Sequence, residues 1–165
     1  MKLIVRLILL AGLLALAVWA WGFFFPTPQR IIEKHLLQLA RLASFSSTDG
    51  SIKRLADNER TGFLLARDIH VVLDMPGGRG QTFDNRGELL QAVLAARATV
   101  KNLHTEFTDI AITLNPDRQS AVAFLTVTAK IGGEPDLVVE ELKFTFQKIS
   151  DDWLITALET VKPLR

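Results

Sequence analysis

Residues 103–164 read LHTEFTDIAITLNPDRQSAVAFLTVTAKIGGEPDLVVEELKFTFQKISDDWLITALETVKPL, and this stretch decides the fold. It divides into four long strands joined by three tight turns. His104–Leu114 is rich in β-branched and aromatic residues; Ile110, Ile112 and Leu114 share one face, and Ala111 and Thr113 take the other. Asn115-Pro-Asp-Arg118 supplies turn chemistry, because proline presets φ and Asn and Asp bond their own backbone. Ala121–Ile131 is the second strand, and Gly132-Gly-Glu-Pro135 closes the next hairpin. In the third strand, Leu137–Ile149, Leu142, Phe144 and Phe146 alternate with Lys143, Thr145 and Gln147. Ser150-Asp-Asp152 turns the chain into the last strand, Trp153–Val161. Strands of this length bend and wrap around a partner, and only helices stand upstream to be wrapped.

The 165 residues suit one domain plus an appendage, and the absence of cysteine excludes disulfides and thiolate metal sites. Without Lys2 and Arg6 the chain carries 17 basic and 18 acidic residues. That balance argues against nucleic-acid binding, which needs a basic stripe.

Upstream, Lys2 and Arg6 precede the apolar run Leu7–Phe25, 19 residues long, or about 28 Å of helix at 1.5 Å per residue. Trp19, Trp21, Phe23, Phe24 and Phe25 cluster at its far end as an interfacial aromatic belt does. The expectation is a membrane anchor over residues 1–27, inserted through residues 3–25, with a cytoplasmic N-terminus. Residues 28–165 then form an extracytoplasmic domain on an inner or plasma membrane. The rival is a signal peptide cut after Ala15-Leu-Ala17. Cleavage there would leave a mature start of Val18-Trp-Ala-Trp-Gly-Phe-Phe-Phe25, a poor solution in water, so retention is favoured.

Pro26-Thr-Pro28 ends the apolar run and opens a helix with Thr27 as N-cap, in which Ile32, Leu36, Leu39 and Ala43 recur at helical spacing. A short helix is expected over Ser51–Arg60. A strand runs from Phe63 to Leu73, with Ile69, Val71 and Leu73 alternating with Asp68, His70 and Val72. Met75-Pro-Gly-Gly-Arg-Gly80 breaks it, and Gln81–Phe83 is a short return strand. Asp84 or Asn85 caps a third helix from Gly87 to about Lys101, striped by Leu90, Val93, Leu94 and Arg97. On that stripe Arg97 either reaches the edge or faces a pocket and holds an anionic group. His70 with Asp68, and His104 with Glu106, are two-residue pairs, whereas a metal site takes about three protein ligands. Solvent-facing ion pairs are the expectation. Gly77-Gly-Arg-Gly80 lacks the lysine and helix of a phosphate cradle. No cofactor and no metal is implied.

Helix, short helix, strand hairpin, helix and four-strand sheet is an order that resembles the nuclear transport factor two-like superfamily, home also to the SnoaL-like cyclases and ketosteroid isomerases. Three stretches carry the resemblance: Val71-Val-Leu-Asp-Met-Pro-Gly77, Gly87-Glu-Leu-Leu90, and Phe144–Ile155 with its tryptophan. The implied fold is α+β: a bent antiparallel sheet of four long strands plus a short hairpin, wrapped on about three helices as a cystatin-like cone. In the isomerases of this fold a carboxylate ending the first strand is the general base, with a tyrosine and a second acid binding the oxyanion. By that resemblance Asp74 stands near the base and His35 near the tyrosine, whereas Leu142 occupies the acid's place. Glu140 lies two residues back on the same face. Glu140, Arg97 and Trp153 are the candidate pocket residues. One of three roles is thus matched, one substituted and one missing, and the chain has no tyrosine.

Two functions follow. The first is an anchored, non-catalytic binding or assembly module for a protein partner or a small hydrophobic ligand, dimerising through apolar residues such as Val122, Phe124 and Val139 on the outer sheet face. The alternative is an isomerase, dehydratase or cyclase abstracting a proton with Asp74.

Overall fold

The computed structural model describes Gly12 and residues 27–74, 80–133 and 137–161. The expected anchor, Leu7–Phe25, lies outside the described residues, and among those described no helix is long and apolar enough to cross a membrane.

Three helices and six strands follow in the order α1 (Pro28–Ala43), α2 (Ser51–Leu64), β1 (Leu65–Asp74), β2 (Gly80–Phe83), α3 (Arg86–Thr99), β3 (Leu103–Leu114), β4 (Ser120–Ile131), β5 (Leu137–Ile149) and β6 (Asp152–Thr160). Thr27 stands at the N-cap position of α1, its carbonyl accepting from the Ile31 N–H at 3.2 Å and its side chain making no cap bond, with Pro28 opening the helix. Asn85 caps α3, its side chain accepting from the Glu88 N–H at 2.9 Å. The second helix is longer than the sequence suggests, running on to Leu64.

Strands β3 to β6 form the expected antiparallel meander. Between β5 and β6, Ser150 and Asp151 have φ of 51° and 72°. Two consecutive left-handed residues make the hairpin turn whose twist matches the strands. Asp109, φ 53°, marks an irregularity in the β3–β4 register, and others interrupt β5–β6 and β1–β6. Such bulges bend a long sheet.

The sheet departs from expectation in one respect. The β1–β2 hairpin is not a separate addition, because all six strands form one sheet in the order β2-β1-β6-β5-β4-β3. The join is parallel, with Val71 beside Leu158 and Val72 beside Glu159, so the sheet is mixed. The meander leaves β6 with an unpaired edge, and β1 covers it.

The core is built on the alternating apolar faces of the strands. Ile32 and Leu36 of α1 cluster with Ile69 and Val71, Ala121, Ala123 and Leu125, Phe144 and Phe146, and Trp153 and Ile155. The Phe144 ring lies 6.0 Å from Phe107 and 6.4 Å from Phe146. Helix α2 is inverted relative to that pattern: Asp57, Asn58 and Thr61 are buried, while Ile52, Leu55 and Phe63 are exposed. Gly62 is where α2 meets α3, since a Cβ there would stand 3.2 Å from Leu90 Cδ1. Arg86 fastens the same junction, donating to the carbonyls of Gly62 (3.0 Å) and Leu65 (3.3 Å).

Candidate functional site

The cone is hollow. The first half of α1 packs Ile32 and Leu36 into the core, but its second half, Leu39, Leu42 and Ala43, borders a cavity of about 320 Å³. Inner-face residues of the sheet form the floor: Leu65, Ile69 and Leu73, Leu103 and Phe107, Val127, Leu142 and Phe144, Ile155 and Leu158. Helix α3 contributes Leu89, Val93, Ala96 and Arg97. The volume lies at the low end for small-molecule pockets.

Seventeen of the twenty described lining residues are apolar, the others being Thr61, Arg97 and Thr105. The Thr61 hydroxyl donates to the Asp57 carbonyl at 2.8 Å, within its own helix. Arg97 is the one buried residue of α3, at 4% exposure. Its Nη2 donates to the carbonyl of Leu42, in the last turn of α1, where the helix dipole is negative. Its Nη1 donates to the Arg54 carbonyl at 3.4 Å, and its guanidinium stands 5.5 Å from the centre of the Phe45 ring. Its Nε is buried and has no hydrogen-bond partner among the described residues. Burial pushes its pKa down, and the charges of Asp57 and Asp49 oppose that shift.

The other sequence candidates lie elsewhere. Asp74 ends β1 one residue beyond Leu73; its backbone N–H donates to Thr160 Oγ1 at 3.2 Å, and it is not among the described lining residues. His35 donates from Nδ1 to the Trp153 carbonyl at 3.0 Å, pinning α1 to β6. It borders a separate groove with Pro28, Ile31, Arg118, Lys148 and Asp151. Trp153, expected in the pocket, is a core residue whose edge meets that groove. Glu140 is half-buried opposite Val127 and does not line the cavity. Asp74 and His35 are therefore not brought together at the cavity, and of the five candidates only Arg97 lines it.

The α3 stripe is displaced from the spacing read in the sequence. Leu89, Val93, Ala96 and Arg97 face inward, Leu90 meets Gly62, and Leu94 is exposed. Lining residues such as Leu39 and Leu142 read simply as members of an apolar face in the sequence, because periodicity marks such a face but not whether the space beside it is filled. His104 pairs with Glu106 at 3.1 Å as expected, while His70 meets Asp84 at 2.7 Å rather than Asp68. Among the described residues no acidic and histidine cluster could hold a metal.

Neither a family model nor a curated protein matches the sequence. Solved structures do resemble it. An uncharacterized protein with a cystatin-like fold from Caulobacter vibrioides has a TM-score of 0.63 at 16% identity, over 82% of this chain and 90% of that one. An NTF2-like protein from Pseudomonas putida KT2440 has 0.60 at 10% identity, over 84% and 90%. A candidate dehydratase of the NTF2-like family from Streptomyces avermitilis has 0.59 at 16% identity, over 84% and 100%. At such identities the likeness carries architecture and not activity: the chain has the NTF2-like, cystatin-like α+β cone.

Proposed function

We propose that the chain is a membrane-anchored, extracytoplasmic binding module, without catalysis, whose cone takes a small hydrophobic ligand. The cavity lining carries the reading: it offers apolar surface on every side, and none of its described residues is an acid or base that exchanges protons near neutral pH. The apolar run Leu7–Phe25 supports the anchor, and the reading includes a second copy of the chain against the outer sheet face.

The experiment uses the full chain, recovered from membranes and placed in lipid nanodiscs, with octan-1-ol as probe. Calorimetric titration should show saturable binding beyond that of empty nanodiscs. Val127→Phe, which fills the cavity from β4, should abolish it. Heats indistinguishable from empty nanodiscs would overturn the ligand reading, and recovery of a soluble chain beginning near Val18 would overturn the anchor.

The enzyme reading takes second place. Two structural neighbours are described as candidate dehydratases, and that reading asks Asp74 to act as base from a position that does not line the cavity.

A further inference from the structure

Arg97 is an unusual group to find in an apolar cavity. Arginine is rarely buried without an ionic partner, yet among the described residues no carboxylate comes within ion-pairing distance of this guanidinium. Asp57, the acid whose charge bears on it most, is engaged by Lys53 at 2.9 Å and Arg60 at 3.8 Å. Two main-chain carbonyls and the face of Phe45 hold the guanidinium in place without neutralising it. Two of its five N–H donors are used in this way, and Nε has no partner among the described residues. The fork is thus anchored at its Nη atoms, charged, and at the wall of a cavity whose other lining residues are apolar save Thr61 and Thr105.

We infer that the ligand of this cavity is a monoanionic amphiphile, an apolar chain ending in a carboxylate, whose head is held by the Arg97 guanidinium. This inference rests on the cavity being the ligand site, as proposed above. One positive charge with no carboxylate in direct contact among the described residues matches one negative charge. A carboxylate in the cavity can pair with the guanidinium that lines it, and the charge pair forms where little water screens it. The tail then covers the apolar faces of Leu39, Val93, Phe107 and Leu142. The carbonyls of Leu42 and Arg54 set the tilt of the guanidinium before the ligand arrives, which limits the ordering that binding requires.

The test compares octanoate with octan-1-ol at neutral pH, two probes with the same chain and different heads. Each is titrated into the full-length protein in nanodiscs against empty nanodiscs. The wild type should bind octanoate at least about tenfold more tightly than octan-1-ol. Arg97→Met should remove that preference while keeping octan-1-ol binding, and Arg97→Lys should retain part of it. Octan-1-ol binding as tightly as octanoate would overturn the anionic head and leave the apolar site standing. A preference surviving in Arg97→Met would place the anion elsewhere and overturn the inference. Binding of neither probe would overturn the cavity reading itself. Should Arg97→Met fail to fold, the wild-type preference and Arg97→Lys still decide.

Discussion

Leu73 and Asp74 stand back to back on β1. Leu73 lines the cavity, and the register with β2 continues unbroken through Leu73 beside Gln81 and Asp74 beside Gly80. The strand pleat therefore turns the Asp74 side chain to the opposite face. An acid on that face is poorly placed to take a proton from a molecule inside the cone.

Asp74→Asn should accordingly leave octan-1-ol affinity within about twofold of wild type, the effect of a substitution away from the contact surface. Were Asp74 the general base of an isomerase or dehydratase, the same change would lower turnover by about a hundredfold or more. Calorimetry on the variant, together with a turnover assay on any substrate found for the wild type, separates the two.

Asp117 governs the β3–β4 turn. Its carboxylate accepts from the N–H groups of Gln119 (2.9 Å) and Ser120 (3.0 Å) and from the Ser120 hydroxyl (2.8 Å). These bonds, that of Gln119 foremost, hold its pKa below the ordinary 3.8. A group whose folded pKa is depressed adds stability above its unfolded pKa and loses it as pH falls through the folded value. Asp117→Ala should thus melt below wild type at neutral pH, and the gap should close as the pH drops below about 4. A gap that stays constant across that range would show that the charge of Asp117 adds nothing.

The outer sheet face carries Phe124, Leu137 and Val139 at 47%, 58% and 58% exposure, with the Lys143–Glu159 ion pair (2.9 Å) on the same face. An apolar patch beside a polar pair suits a self-complementary two-fold contact. The full chain in detergent, with the detergent mass subtracted in light scattering, should have twice the monomer mass. Phe124→Arg, which sets a like charge opposite Lys143, should shift it to a folded monomer, with the circular dichroism of the wild type. A wild type that is monomeric throughout would remove the dimer.

Much of the fold was legible because its signals are local. The alternation of Leu142, Phe144 and Phe146 marked one shared face, and Phe144 and Phe146 are in the core. The Ser150-Asp-Asp152 turn and the cap at Asn85 rest on the chemistry of a few adjacent residues. The direction of Asp74 was legible too: Ile69, Val71 and Leu73 already assign the odd positions of β1 to the interior. The family pattern drew attention to Asp74 as a residue type, and side-chain parity decides where it points.

Strand pairing lay beyond the sequence by itself, because a pleat records which face is apolar and not which edge it joins; β1 is parallel to β6 only through closure of the whole sheet. The cavity lay beyond it for a related reason, since Leu39, Phe107 and Leu142 are hydrophobic whether the space between them is filled or open. Arg97 shows the division most plainly. Its place in the sequence left two fates, a reach to solvent or a place in the pocket. The carbonyls of Leu42 and Arg54 and the ring of Phe45, brought together from three stretches of chain, decided for the pocket. Helical period and strand alternation are properties of neighbours in the chain, whereas the solvation of a charge depends on groups that only the folded molecule brings together.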